Sequence, residues 1–323
     1  MNMRIRSRVG IILINWQSPA EVAQVVRALF EQSPNVQQEI YVVNNGAREP
    51  LAAALEGLSP RVIEAGRNSG FSGACNLGIA QALADGADYV WLLNTDIILP
   101  PDCLQKLLDD AAEHPEAGLF SPVIYYIKDG EKHIWVSGGQ FDPTLFTSGE
   151  WFSTLSHAIE AQTTAPQTFM LPGTALLISA DAVRRVGLFD EKLFMYHEDI
   201  DFCIRASRAG VGRRLVVSAG IIHFHVPGTP VRKHVAYYLT RNEWLFWWKH
   251  GKRRAFFRKL AWQVASLRRA MQRLANDPEI RIAWRGGWWD GLLGRGGEMP
   301  RAISTSSAKI ESPTSPKSMG SSH

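Results

Sequence analysis

Five carboxylates fall within twelve residues, Asp190, Glu191, Glu198, Asp199 and Asp201. Phe189, Phe194, Tyr196 and Phe202 are threaded through them, and no lysine or arginine follows Lys192 until Arg205. A solvated acidic face would not carry so many aromatics, and a buried carboxylate needs a metal, a cation or a proton. Glu198 beside Asp199 suits a general base with a supporting carboxylate, burial raising a pKa toward the working range. An acidic helix start, with negative charge on the helix dipole, is an equal account of Asp201 and Glu198, but it leaves the aromatic frame unexplained.

Three other groups could do chemistry. Asn94-Thr95-Asp96 closes an apolar run. A carboxylate there can hold a divalent ion against a diphosphate, or simply close an Asx turn. Asn68-Ser69-Gly70-Phe71-Ser72-Gly73 has the look of a glycine loop around phosphate, but it is not G-x-G-x-x-G and lacks the P-loop lysine. His223 and His225 alternate, so on a strand both rings point to one face; they read as metal ligands or as ordinary strand histidines.

These groups need a frame. Residues 9–14 form an unbroken apolar run, the pattern of a strand buried on both faces. Strands are predicted over 9–14, 39–43, 61–64, 88–93, 119–126, 169–178, 212–217 and 221–225. Helices are predicted over 20–30, 79–84, 100–112, 181–186, 200–209, 235–250 and 253–276. Residues 128–167 read as loops and short strands. Strand–helix alternation predicts an α/β fold with a mainly parallel sheet, which binds ligands at the carboxyl ends of its strands. Asn15, Asn44, Asn45, Asn94 and Asp96 all fall at such ends.

The net charge of +4 conceals an asymmetry. Residues 241–285 hold twelve Lys/Arg against three acids, so the rest of the chain is net negative. In 253–276, Leu260, Val264, Leu267, Met271 and Leu274 keep a helical period opposite the arginines. Trp244, Trp247, Trp248 and Trp262 with these charges suit either the interface of an anionic membrane or packing on the catalytic domain; no nucleic-acid module accompanies them. Cys75, Cys103 and Cys203 are odd in number and far apart, so a reducing cytosol is expected. No secretory signal or bilayer-length run is visible.

In order and spacing the motifs resemble the family 2 inverting glycosyltransferases of GT-A fold, and within them the rhamnosyltransferase-like group. The likeness rests on Asn44-Asn45-Gly46, Asn68-x-Gly70-Phe71-x-Gly73-x-x-Asn76-x-Gly78, Leu92-Leu93-Asn94-x-Asp96, Gly187-x-Phe189-Asp190-Glu191, Glu198-Asp199-x-Asp201 and Tyr237-Tyr238-x-x-Arg241-Asn242. It implies a GT-A catalytic domain over 1–230, with a nucleotide-sugar half (9–126) and an acceptor half (127–230). A basic aromatic helical extension (231–300) and a disordered tail (301–323) would follow.

The resemblance implies site roles as well. Asn15 and Asn44 would lie at the nucleotide base; Asn68, Gly70 and Asn76 near ribose and diphosphate, with Asn94 beside them. Asp96 would hold Mg²⁺ or Mn²⁺ as the last residue of the D-x-D element, whose first position here is Asn94. His223 would be a second metal or diphosphate contact with His225 in reserve, Asp199 the general base, and Glu198 and Asp201 supports. The expected enzyme moves a sugar, L-rhamnose from dTDP-rhamnose or another dTDP- or UDP-sugar, to a lipid-linked or cell-surface glycan at the inner face of the cell membrane. A sugar nucleotidyltransferase would need a basic residue on a triphosphate after residue 14, where none stands. A dinucleotide dehydrogenase would need G-x-G-x-x-G there. A non-catalytic glycan-binding protein would bind donor without transferring the sugar.

Overall fold

The computed structural model describes residues 7–32, 37–47, 50–143, 150–224, 231–273 and 277–304. The first half alternates strand and helix: β1 (Arg8–Asn15), α1 (Pro19–Phe30), β2 (Gln37–Asn44), α2 (Leu51–Ala54), β3 (Arg61–Glu64), α3 (Gly70–Ala84), β4 (Tyr89–Leu93), β5 (Ile97–Ile98) and α4 (Cys103–Glu113). Then come β6 (Ala117–Lys128), β7 (Glu131–Val136), β8 (Gly139–Gln140), β9 (Glu150–Trp151), α5 (Leu155–Thr164), β10 (Phe169–Met170), β11 (Ala175–Ser179) and α6 (Ala180–Val186). The chain continues through α7 (Glu198–Arg208), β12 (Gly212–His223), α8 (Lys233–His250), α9 (Phe256–Arg273), α10 (Pro278–Leu292) and α11 (Arg301–Ser304).

The main sheet runs β3-β2-β1-β4-β11-β6-β12-β5, with β7 on the edge of β6. β3, β2, β1 and β4 are parallel. β11 is antiparallel to both β4 and β6. The fold is a GT-A type α/β sheet flanked by helices. Alternation along β1 divides two cores: Val9, Ile11 and Leu13 face Val22, Val26 and Leu107, while Ile12 faces the layer of Ile79 and Leu92. Helix α3 lies very close to β1, because a Cβ on Gly78 would come within 2.5 Å of Ile12.

The structure departs from the sequence reading in several places: α3 begins at Gly70 rather than at residue 79, α2 has no counterpart in that reading, and α11 falls within the expected disordered tail. Residues 128–167 hold the helix α5, whose buried Ala158 and Ala161 sit among polar residues that mask the period. The run 169–178 is two strands in different sheets, β10 with β8 and β11 with β4, parted by Pro172-Gly173-Thr174. The two strands read over 212–225 are one, β12, with a register shift between Val216 and Gly220. Helix α10 lies within the expected helical extension but beyond the two helices predicted there; its Gly287 and Gly291 sit where it meets the α8 backbone at Tyr237 and Arg241. Trp244 and Trp247 are core residues, so packing accounts for them, and Trp248 alone of α8's three is exposed.

Candidate active site

The carboxyl ends of β1 and β2 carry an amide network. Asn15 Nδ2 donates to Asn44 Oδ1 at 3.0 Å, and Asn44 Nδ2 donates to Glu64 at 2.9 Å. Oδ1 of Asn15 is buried and makes no hydrogen bond among the described residues. Asn45 organises the neighbouring turn: its Oδ1 accepts from the Ser69 N–H and hydroxyl, both at 2.8 Å, and its Nδ2 donates to Asn68 Oδ1 and the Gly70 carbonyl. Asn68 Oδ1 also accepts from the Gly70 N–H at 3.0 Å. Asn15, Asn44, Asn68 and Gly70 are thus gathered at one end of the sheet.

Two residues of the expected nucleotide cradle face the acidic loop instead. Gly70 has φ of 75°, and a Cβ there would lie 2.4 Å from the Phe194 carbonyl. Asn76 donates to the Phe189 carbonyl (3.0 Å) and Glu191 (3.1 Å) and accepts from the Phe189 N–H (2.9 Å). Its amide is committed to bracing the loop.

Asp96 lies between β4 and β5, and Asn94 donates its N–H to the Thr174 carbonyl at 2.9 Å. Antiparallel pairing of β5 with β12 sets His223 opposite Ile97, which brings His223 Nε2 to 3.2 Å from Asp96 Oδ1. The Phe224 N–H donates to the Asp96 carbonyl at 3.0 Å, and Trp135 stacks on the His223 ring at 4.5 Å. His223 is buried while the Asp96 side chain is 42% exposed, so the carboxylate opens outward. His225 lies outside the described residues. No group of three or more His, Cys, Asp and Glu suited to a metal occurs among the described residues. One carboxylate and one imidazole fit a divalent ion that takes its remaining donors from a phosphate ligand and water.

Asp199 sits in the first turn of α7. Its Oδ2 accepts from the Gly173 N–H at 3.0 Å, and its Oδ1 from the Ile200 N–H at 2.8 Å. Burial raises its pKa, against those backbone bonds and the nearby His197. Glu198 is pushed up to about 8 by burial and then by its neighbours Asp199 and Asp201. Burial thus raises the pKa of both carboxyls of the adjacent pair. The Tyr196 hydroxyl is pushed up to about 12 by burial, then by Glu198 and, more weakly, by Asp96. Both carboxylates therefore lie within electrostatic reach of Tyr196.

Asp201 is different. It is buried, which opposes its charge, but His250, Arg205 and Lys249 overcome this and hold it well below the usual carboxylate range. His250 Nε2 lies 2.7 Å away, with Arg205 Nε and Lys249 Nζ each at 2.8 Å. Asp201 ties α7 to the end of α8.

The loop before α7 is strained. Phe194, Tyr196 and His197 have φ of 62°, 68° and 69°, the left-handed region that non-glycine residues avoid. Asn242 holds it, donating toward the carbonyls of Leu193 (2.9 Å), Met195 (2.7 Å) and Tyr196 (2.7 Å). The buried Arg241 donates to the Leu193 carbonyl at 2.7 Å. His197 Nε2 lies 3.5 Å from Glu243, which pairs with Lys259 at 2.8 Å. Burial opposes the Glu243 charge, but His197 and Lys259 prevail and hold its pKa to about 2. Of these residues, Arg241 and Asn242 stood in a legible motif without an assigned role. His197, Glu243 and Lys259 gave no signal beyond their types, because their partners lie 46 and 16 residues apart.

The family described as Glycosyl transferase family 2 matches residues 10–187. The N-acetylglucosaminyl-diphospho-decaprenol L-rhamnosyltransferase of Mycobacterium tuberculosis is 28% identical over 239 residues, 65% of this chain and 76% of the relative. The dTDP-rhamnosyl transferase of Shigella flexneri is 23% identical over 219 residues, 64% of this chain and 69% of the relative. Among solved structures, a mannosyltransferase from Pyrobaculum calidifontis in complex with GDP-Man and Mn²⁺ superposes with TM-score 0.55 at 14% identity, covering 90% of this chain and 86% of that one. S. aureus TarS in complex with UDP-GlcNAc gives 0.54 at 15% identity, covering 92% and 82%.

Proposed function

The chain belongs to glycosyl transferase family 2, and from that premise we propose that it moves L-rhamnose from dTDP-rhamnose onto a lipid-linked or cell-surface glycan acceptor with inversion. The relatives named for rhamnosyl transfer support this donor. The observation that carries the mechanism is the setting of Asp199. Both its oxygens are fixed by backbone N–H groups, and burial raises its basicity. Asp199 takes the proton of the acceptor hydroxyl; the freed oxygen attacks the anomeric carbon, and the nucleoside diphosphate departs from the opposite face.

Asn15 Oδ1, which has no hydrogen-bond partner among the described residues, is suited to accept from a pyrimidine N3–H. Asp96 and His223 would hold Mg²⁺ or Mn²⁺, which when bound supplies positive charge to the leaving diphosphate. We place the reaction at the cytoplasmic face of the membrane, with peripheral contact. No helix among the described residues is long and apolar enough to cross a membrane.

The test is a thermal-shift screen of dTDP-rhamnose, UDP-sugars and GDP-sugars with and without Mn²⁺, followed by rhamnosyl transfer to a polyprenyl-diphosphate-linked acceptor. Stabilisation by dTDP-rhamnose above the others, with product formed, is expected. Preference for another sugar nucleotide would overturn the donor; donor binding without transfer or hydrolysis would overturn the activity.

A further inference from the structure

Helix α9 packs Phe256 and Leu260 on the main core but also presents apolar residues outward. Lys259 and Gln263 point inward and are buried, Lys259 on Glu243, while Phe257, Ala261, Val264 and Ala265 face outward. Phe257 is 80% exposed. With Leu260 these residues line an open apolar hollow of about 540 Å³. Their spacing, three and four apart, makes one continuous stripe. At its amino-terminal end Phe257 touches Phe256, on which the exposed Trp248 stacks at 5.9 Å.

The charge along this stretch of sequence is of one sign. Between Glu243 and Asp277 the chain has nine Lys/Arg and no carboxylate. Lys252, Arg253, Arg254 and Arg258 are exposed around the start of the stripe. An outward apolar stripe on a basic helix with an aromatic at its edge has the makeup of a helix lying in the plane of a lipid interface. The fold supplies a reason for the orientation: the Lys259–Glu243–His197 chain of contacts occupies the inward face.

We propose that the outward face of α9 docks on an anionic bilayer surface, Phe257 and Val264 entering the headgroup boundary and Lys252, Arg253, Arg254 and Arg258 meeting acidic headgroups. This deepens the reading above, and rests on it only for the benefit of holding the enzyme beside a lipid-linked acceptor. The same helix that meets the lipid is tied through Glu243 to His197, directly before the Glu198–Asp199 pair.

Flotation of the full chain with vesicles of phosphatidylcholine alone, or mixed with phosphatidylglycerol, tests this without any donor. Binding to the mixed vesicles at low salt, weakened by added salt, is expected. Phe257→Ser/Val264→Ser should abolish it. Arg253→Ser/Arg254→Ser/Arg258→Ser should lower partitioning on the order of 100-fold, at about fivefold per charge. All these side chains are exposed, and unchanged circular dichroism will show that the variants fold. A wild-type chain that stays with the soluble fraction overturns the proposal. So does a dimer in sedimentation that Phe257→Ser dissociates, for then a second copy covers the face. Intact flotation with no sugar transfer would count against the proposed activity alone.

Discussion

Asn242→Ala removes the donor that holds the strained loop before α7. The Nδ2 group has two hydrogens and faces three carbonyls, those of Leu193, Met195 and Tyr196. Losing two hydrogen bonds at about 1–1.5 kcal/mol each, with buried carbonyls left unsatisfied, costs about 2–4 kcal/mol. Three non-glycine residues in the left-handed region, Phe194, Tyr196 and His197, store roughly 1–3 kcal/mol each. Once Asn242 is gone, relaxation of the loop returns part of the loss in stability. That relaxation moves His197, the residue before α7, and with it the Asp199 carboxylate. The urea midpoint should therefore fall by the equivalent of about 2–3 kcal/mol with an unchanged slope. Turnover should fall by about 100-fold, the scale of a misplacement on the order of 1 Å. Urea titration and initial rates on the same preparation read both. A variant with wild-type midpoint and wild-type turnover would refute the claim that Asn242 holds the loop and the loop holds the base.

Three further outcomes follow. Glu198 keeps its proton in the folded protein up to about pH 8, whereas the unfolded chain releases it near 4.5. Between those values the unfolded state binds fewer protons, so stability falls as pH rises, by on the order of 1 kcal/mol per pH unit. Urea midpoints across that window should show this slope in the wild type and lose most of it in Glu198→Gln; an identical slope in both would contradict the assignment. Gly78→Ala places a methyl 2.5 Å from the buried Ile12 and should cost about 1–3 kcal/mol, read as a lower melting temperature; an unchanged one would mean that α3 can shift from β1. Asp96→Ala should weaken Mn²⁺-dependent binding of dTDP-rhamnose by more than about tenfold in calorimetry, since even the partners of metal ligands cost that much. Unchanged affinity would remove Asp96 from the metal site.

Much of the parallel half was legible because its strands are largely buried on both faces: the runs at 9–14, 39–43 and 88–93 are short and mostly apolar, the pattern of buried parallel strands. The asparagines and Asp96 were legible for the same reason, standing where those runs stop. The pairing of Asp96 with His223 is not local. It depends on the short strand β5 lying against the distant strand β12, although the family's spacing pointed to it. Asn76 is another non-local case: its partners are the Phe189 backbone, 113 residues onward, and the Glu191 carboxylate. The acidic stretch resolved into separate fates that no spacing could assign. Asp201 lies among Arg205, Lys249 and His250, Glu198 is buried with its pKa raised, and Asp199 is clasped by the Gly173 N–H from a turn hidden inside what read as a single strand.

The central claim is that Asp199 removes the acceptor proton. It is tested most directly by the turnover of Asp199→Asn with dTDP-rhamnose and a lipid-linked acceptor, beside the wild-type pH–rate profile. Transfer should fall by about 100- to 10,000-fold with donor affinity preserved, and the wild-type acid limb should lie above the ordinary aspartate range, because burial raises this carboxyl. Near-full turnover in the folded Asp199→Asn protein would contradict it.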